Sequence, residues 1–427
     1  MSSRISRIRA REILDSRGNP TVEAEVVLES GDLGAASVPS GASTGRWEAV
    51  ELRDGDKRRF NGRGVLAAVR NINEVISKAL VGRDSLDQEG IDRVMIELDG
   101  TERKERIGGN AILAVSIANM RAAAAYMKMP LYRYIEDRGE YVMPVPLMNV
   151  INGGKHAGSR LSIQEFMIIP YGVESFMEAL RIGVETYHNL KNILKDRYGS
   201  SAINVGDEGG FTPQIETTGE ALSILVEAVN ASGYSEGEIA LGIDAAASSF
   251  YDEGNNKYRI DGLTLSGGEL IEYYSKLIDE FPIVSIEDPF HEEDYDSFKE
   301  FTQRFKDRIQ IVGDDIFVTN KRRFLLGVEK GIANTLLFKL NQIGTVTEAF
   351  ETMRTAILNN YRVIVSHRSG ETEDNYIADI AVGKSIGQIK TGAPCRGERT
   401  SKYNRLIRIN EEIGDKAIYI GRKLFKI

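Results

Sequence analysis

Six short apolar runs between residues 239 and 390 each end on a side chain that can carry charge or a proton. They are Asp244 after IALGI, Glu287 after IVSI, Asp314 after IQIVG, Lys339 after TLLF, His367 after VIVS and Lys390 after GQI. Successive gaps are 43, 27, 25, 28 and 23 residues, mostly the length of one strand plus one helix. In a (β/α)8 barrel the parallel strands all end on one face, so this spacing predicts that three carboxylates, two lysines and a histidine converge on one pocket.

Asp244, Glu287 and Asp314 offer hard oxygen donors, which suit Mg2+. Zinc would favour His or Cys, and the chain has only four histidines and one cysteine. Acids at strand ends also cap helices, but three in succession followed by Lys339, His367 and Lys390 read as a catalytic set. Near a divalent cation and a second lysine, the Lys339 ammonium is expected to be disfavoured, which suits a general base. Lys390 is placed to neutralise an anionic substrate. His367-Arg368-Ser369-Gly370 supplies donors for a phosphate, arginine being the bidentate anion binder.

Two glycine-rich loops add further groups. VGDEGGF carries Glu208, whose glycine neighbours let backbone approach a ligand closely, and a half-buried glutamic acid can hold a proton for acid catalysis. INGGKHAGSRLSIQE carries His156, Gln164 and Glu165. His188, within a helical pattern, reads as structural; the role of His291 is open. SVPSGASTGRWE (37–48) lacks the lysine of a phosphate loop and is expected to be a mobile lid over the barrel mouth, with Gly41 and Gly45 as hinges and the sole tryptophan, Trp47, on it. Together these groups suit abstraction of a weakly acidic proton beside a carboxylate, with a metal and Lys390 offsetting the charge and Glu208 assisting a leaving group.

The elements that must position these groups are legible. Residues 1–60 read as strands, with Val22, Ala24 and Val26 on one face, and residues 64–127 as helices, including the alanine-rich ILAVSIANMRAAAAYMKM. From about Met143 strands and helices alternate. The expected fold is therefore α/β: an N-terminal α+β capping domain over 1–135 and a C-terminal (β/α)8-type barrel over 143–427. An open doubly wound sheet would carry GxGxxG after its first strand; the only GxG, Gly62-Arg63-Gly64, fails that pattern.

Composition narrows the partners. Net charge is −9 with no long basic run, which argues against nucleic acid or an anionic membrane as the main partner. No stretch approaches the length of an apolar membrane span and the N-terminus has no apolar signal core. One cysteine, Cys395, forms no intramolecular disulfide and fits a reducing compartment. A cytoplasmic location is expected.

The strings ILDSRGNPTVE, VPSGASTG, NVINGGKHAG, QEFMIIP, NVGDEGGFTP, SIEDP, IVGDD, LLFKLNQIGT, VSHRSGETED and QIKTGAP, in this order along essentially the whole chain, resemble the enolase family. The resemblance implies reversible dehydration of 2-phosphoglycerate to phosphoenolpyruvate in glycolysis and gluconeogenesis. It implies two Mg2+ ions per site, the second arriving with substrate. Asp244, Glu287 and Asp314 would hold the first ion and Ser43 would ligate the second. Lys339 would be the base at C2, Glu208 the acid at the C3 hydroxyl with Glu165 beside it, and Lys390 the partner of the substrate carboxylate. Arg368 and Ser369 would grip the phosphate, with His156, Gln164 and His367 completing the pocket. The family is at least dimeric, which makes Arg17 or Glu23 with Arg408 or Glu411 expected interface pairs. Departures are local: Ser248-Ser249-Phe250-Tyr251 where SEFY is common, and Tyr295 where tryptophan is common. The ending LFKI also lacks the terminal lysine used for binding by some relatives. Two other functions compete: a superfamily relative acting on a non-phosphorylated acid, such as a racemase or cycloisomerase, and a catalytically silent scaffold. The phosphate clamp (Ser43, Arg368, Ser369, Lys390) argues against the first, and the intact metal and base positions against the second.

Overall fold

The structure, a computed structural model, describes residues 2–41, 45–154 and 161–425. Its N-terminal part opens with an antiparallel meander of β1 (Ile5–Leu14), β2 (Pro20–Leu28) and β3 (Leu33–Ser37). Alternation places Val22, Ala24 and Val26, each fully buried, on one face. Strand structure ends at Ser37, earlier than the expected residue 60. The described residues of 38–59 are irregular, because their Gly, Ser and Pro content supports neither ladder nor helix.

Against the buried face lies helix α2 (Gly109–Tyr126), on which helix α1 (Gln88–Asp99) packs in turn. Helix α2 is small and apolar on every side and is buried along nearly its whole length. It approaches the sheet so closely that a Cβ on Gly34 would lie 2.1 Å from the Ala118 carbonyl oxygen, so only glycine fits there.

The rest of the chain forms a closed barrel. Its strands are β4 (Val145–Asn152), β5 (Glu165–Pro170), β6 (Ile239–Asp244), β7 (Ile283–Glu287), β8 (Gln310–Gly313), β9 (Thr335–Phe338), β10 (Arg362–Ser366) and β11 (Gln388–Lys390), and β11 pairs with β4 to close it. One strand departs from the all-parallel expectation. β5 runs antiparallel to both β4 and β6, so no crossover is needed between β4 and β5. The lower barrel is plugged by Val145, Leu147, Met167, Ile169, Val312, Leu337 and Ile364. Beside this plug Gln310 and Gln388 exchange amide hydrogen bonds of 3.0 and 2.9 Å, so the interior is a filled core and not a channel.

The outer helices include α3 (Phe176–Tyr198), α4 (Thr218–Ala231), α5 (Gly267–Glu280), α6 (Tyr295–Phe305), α7 (Lys321–Lys330), the short α8 (Leu340–Ile343), α9 (Val346–Leu358), α10 (Tyr376–Gly383) and α11 (Gly397–Ile413). The N-terminal part caps one of them. Asp92 accepts from both the backbone and hydroxyl of Thr347, and the Ser116 hydroxyl accepts from the Val346 backbone, so two orphan donors at the start of α9 are met across the interface. Lys104, nearly fully buried, pairs with Glu348 at 3.0 Å. Asp92→Ala is expected to cost about 1–2 kcal/mol of stability in denaturant unfolding. An unchanged midpoint would show that this contact contributes nothing.

Candidate active site

Each barrel strand delivers its charged residue by the same geometry. Asp244, Glu287 and Lys390 are the last residues of β6, β7 and β11, and Asp314, Lys339 and His367 stand one residue beyond β8, β9 and β10. Glu165 reaches the same mouth from the opposite end of its strand. Because β5 is antiparallel, its first residue lies level with the last residue of β6, and Glu165 pairs in register with Asp244. One pocket is lined by Gln164, Glu165, Glu208, Asp244, Asp314, Lys339, His367, Arg368, Ser369 and Lys390, together with Asp288 and Asp315. Glu287 lies directly beneath, bonded to Lys390. Ser43 and His156 lie outside the described residues.

Two buried ammonium groups order the floor. Lys390 Nζ lies 2.9 Å from both Asp244 and Glu287 and 3.4 Å from Glu165. Burial alone would push its pKa down, but Asp244, Glu165 and Glu287 outweigh it and hold the ammonium well above the ordinary lysine range. Lys339 pairs with Asp314. Burial and the neighbouring Arg368 and Lys390 disfavour its charge, yet Asp314 and Glu287 prevail and raise its pKa. The expectation of a disfavoured ammonium applies with a divalent cation beside Lys339; with Asp314 as its direct partner the charge is favoured.

Gln342 fixes that pair. Its amide donates to Asp314 Oδ1 at 2.7 Å while its carbonyl oxygen accepts from Thr319, whose hydroxyl in turn accepts from the Lys339 backbone at 2.9 Å. Glu208 sits on a tight loop in which the Gly206 N–H reaches the Gly210 carbonyl, and Asn152 donates to its carboxylate. A Cβ on Gly210 would lie 2.7 Å from Asn152 Oδ1, so the glycines make room for that amide. Arg368 is gripped by Glu48, with Nη1 at 2.9 Å and Nη2 at 3.2 Å, and by Asn341 at 3.0 Å. Glu48 does not line the pocket and holds the guanidinium from the N-terminal side. Trp47, next to it, donates to Glu293 and stacks under Arg323.

The donor set suits a divalent cation. Burial, reinforced by neighbouring carboxylates, pushes Glu287 and Asp288 well above the usual range and Asp315 to about 8. The carboxylates thus disfavour one another's charge, a bound cation would relieve that repulsion, and every donor is a hard oxygen. Among the described residues, the carboxylate oxygens that come within 4.8 Å of one another as a trio belong to Asp288, Asp314 and Asp315. Asp244 and Glu287 instead share the Lys390 ammonium. Asp288 also accepts the backbone N–H groups of Asp314 and Asp315, which fixes the turn after β8.

Sequence-family comparison agrees with this geometry. Residues 5–135 match the model of the enolase N-terminal domain, and residues 140–427 that of the enolase C-terminal TIM barrel domain. The chain belongs to the enolase family. It is similar to the enolase of Methanopyrus kandleri (56% identity, 99% of both chains) and to that of Methanocaldococcus jannaschii (57%, 98% of this chain and 97% of the relative). The enolase of Thermococcus gammatolerans is 55% identical over 98% of this chain and 97% of its own.

Several residues of this enolase site escaped sequence reasoning. Asn152, Glu48, Asn341, Gln342, Asp288, Asp315 and Arg399 carry no periodic signal. Some lay in plain view in strings such as IVGDD and LLFKLNQIGT, but only their contacts show what they touch. His188 is exposed on α3, and His291 stacks on Tyr251 at 4.5 Å outside the pocket.

Proposed function

We propose that this pocket carries out the family reaction with the residue roles set out below. The chain is a phosphopyruvate hydratase, a lyase that interconverts 2-phosphoglycerate and phosphoenolpyruvate in glycolysis. The observation that supports the roles is the convergence of Lys339, Glu208, Lys390 and Arg368 on one pocket.

Lys339 takes the C2 proton in its free-amine form, which a cation competing for Asp314 would favour, and Gln342 fixes Asp314 beside it. Lys390 faces the substrate carboxylate, where charge builds as the proton leaves, and its own positive charge is secured by the acids beneath it. Glu208 donates a proton to the departing C3 hydroxyl, with Glu165 beside it. Arg368 and Ser369 bind the phosphate, and Glu48 fixes the guanidinium so that little ordering is needed on binding. Gln164, His156 and His367 complete the contacts. The family depends on Mg2+. Asp244, Glu287 and Asp314 would hold that ion, which would supply positive charge to draw Asp314 from Lys339 and to offset the substrate's second negative charge. A second ion, ligated by Ser43 and arriving with substrate, completes the proposal.

We also assign residues 1–135 to a capping domain and 143–427 to a catalytic domain. The protein is proposed to be cytoplasmic and a homodimer or higher homo-oligomer. No helix among the described residues is long and apolar enough to cross a membrane. Arg408 and Glu411 are exposed on α11, whereas Glu23 is engaged by Arg11 within the chain. Light scattering decides the oligomeric state.

Incubation with 2-phosphoglycerate and Mg2+ should generate the enol absorbance of phosphoenolpyruvate, and chelation of the metal should abolish it. Folded protein that forms no product would overturn the proposal. Arg368→Lys loses the two-pronged grip and is expected to raise KM about tenfold or more; an unchanged KM would remove Arg368 from phosphate binding.

A further inference from the structure

Arg399 is a fully buried guanidinium on α11, and the reaction above gives it no part. All four hydrogens of its terminal nitrogens have acceptors. Nη1 lies 2.7 Å from His367 Nδ1 and 2.6 Å from the Arg368 carbonyl oxygen. Nη2 lies 2.9 Å from the Asp207 carbonyl and 2.6 Å from that of Ser369. One side chain thus ties together the loop carrying Arg368 and Ser369, the loop carrying Glu208, and the imidazole between them.

The contact with His367 has a chemical consequence. A guanidinium has five N–H donors and no acceptor, so Nδ1 of His367 must offer its lone pair. Both the Nδ1–H tautomer and the imidazolium would set an N–H against an N–H between two buried side chains. We infer that Arg399 is a positioning residue that locks His367 as the neutral Nε2–H tautomer. The imidazole then presents a hydrogen-bond donor to an oxygen of the bound acid, and it cannot serve as the base of the reaction. Backbone contacts support the same orientation, since the His367 N–H donates to the Lys390 carbonyl at 2.9 Å. The surroundings agree as well: burial first, then Arg399, Lys390, Lys339 and Lys402, hold the imidazole well below its ordinary range and so neutral. The use of the donor rests on the reading of this pocket as the enolase site; the tautomer follows from the Arg399 contact alone.

Four histidines make the test direct. The full-length protein, labelled with 15N-histidine, is followed by NMR from about pH 5 to about pH 8, the range in which an ordinary imidazole titrates. His367→Asn identifies the signal. The expected result is a pyridine-type Nδ1 and a protonated Nε2 throughout; a protonated Nδ1, as either tautomer or imidazolium, would overturn the inference. Arg399→Lys keeps the charge but cannot span four acceptors. In folded variant, the His367 signals should become a mixture of tautomers, and kcat should fall at least tenfold. A pure Nε2–H signal in that variant would show that Arg399 does not set the tautomer. If the variant does not fold, the parent spectrum still decides whether His367 is locked. Loss of product formation with an intact tautomer would count against the assigned reaction and not against the lock.

Discussion

Lys339→Ala is expected to lower turnover of 2-phosphoglycerate by about 10^4-fold, the upper range for loss of a positioned general base. The side chain ends one residue beyond β9, inside the pocket, and no described neighbour can replace it as a base. Lys390 is engaged by three carboxylates, and His367 presents Nδ1 to Arg399. The loss should fall on kcat with little change in KM if, as proposed, Lys339 acts on the C2 proton and not on the phosphate or carboxylate that anchor the substrate. Mg2+ should still bind, and more tightly than in the parent, since Lys339 competes for Asp314. Exchange of the C2 hydrogen with deuterated solvent, read by NMR, isolates the step. Lys339→Ala should stop exchange, whereas Glu208→Gln should retain exchange and lose dehydration. Exchange at the parent rate in Lys339→Ala would remove that residue from its role.

Lys390→Met should act on both stability and chemistry. The substitution nearly preserves volume and leaves Glu165, Asp244 and Glu287 buried together without their shared ammonium. Removing one partner of a buried ionic set typically costs about 3–5 kcal/mol, because the charges left behind stay desolvated. Activity should fall at least about 10^3-fold, since a preorganised charge at the site of developing negative charge is lost. Saturating Mg2+ should recover part of the stability and little of the activity: a cation that binds only the folded state shifts unfolding by mass action. Thermal unfolding with and without Mg2+ measures this. A variant as stable as the parent in chelator would show that the carboxylates do not depend on Lys390.

Both predictions depend on side chains that the sequence located and on partners that it did not. The pattern of apolar runs ending in Asp244, Glu287, Asp314, Lys339, His367 and Lys390 was sufficient to find the mouth of the barrel, because parallel strands end on one face whatever surrounds them. It could not find Glu165 by the same rule, since β5 runs the other way and delivers its first residue. The loop groups Glu208, Gln164 and His156 stood out beside glycines, and the family resemblance supplied their roles. The described structure adds a partner to Glu208 and sets Gln164 in the pocket lining, and His156 lies outside it.

What the residues determined alone was the periodicity: alternation for β2, and apolar runs for six of the barrel strands, each ending at a charged or titratable residue. Those features are local and follow from the two-residue repeat of a strand and the length of a strand–helix unit. What only the tertiary structure decided was pairing. Lys339 meets Asp314, Glu48 grips Arg368 from 320 residues away in the chain, and Arg399 reaches two loops at once. Such contacts depend on how the capping sheet, the barrel loops and α11 pack together. No spacing along the chain encodes the distance between charges that meet only after folding, and that distance sets which proton stays and which can leave.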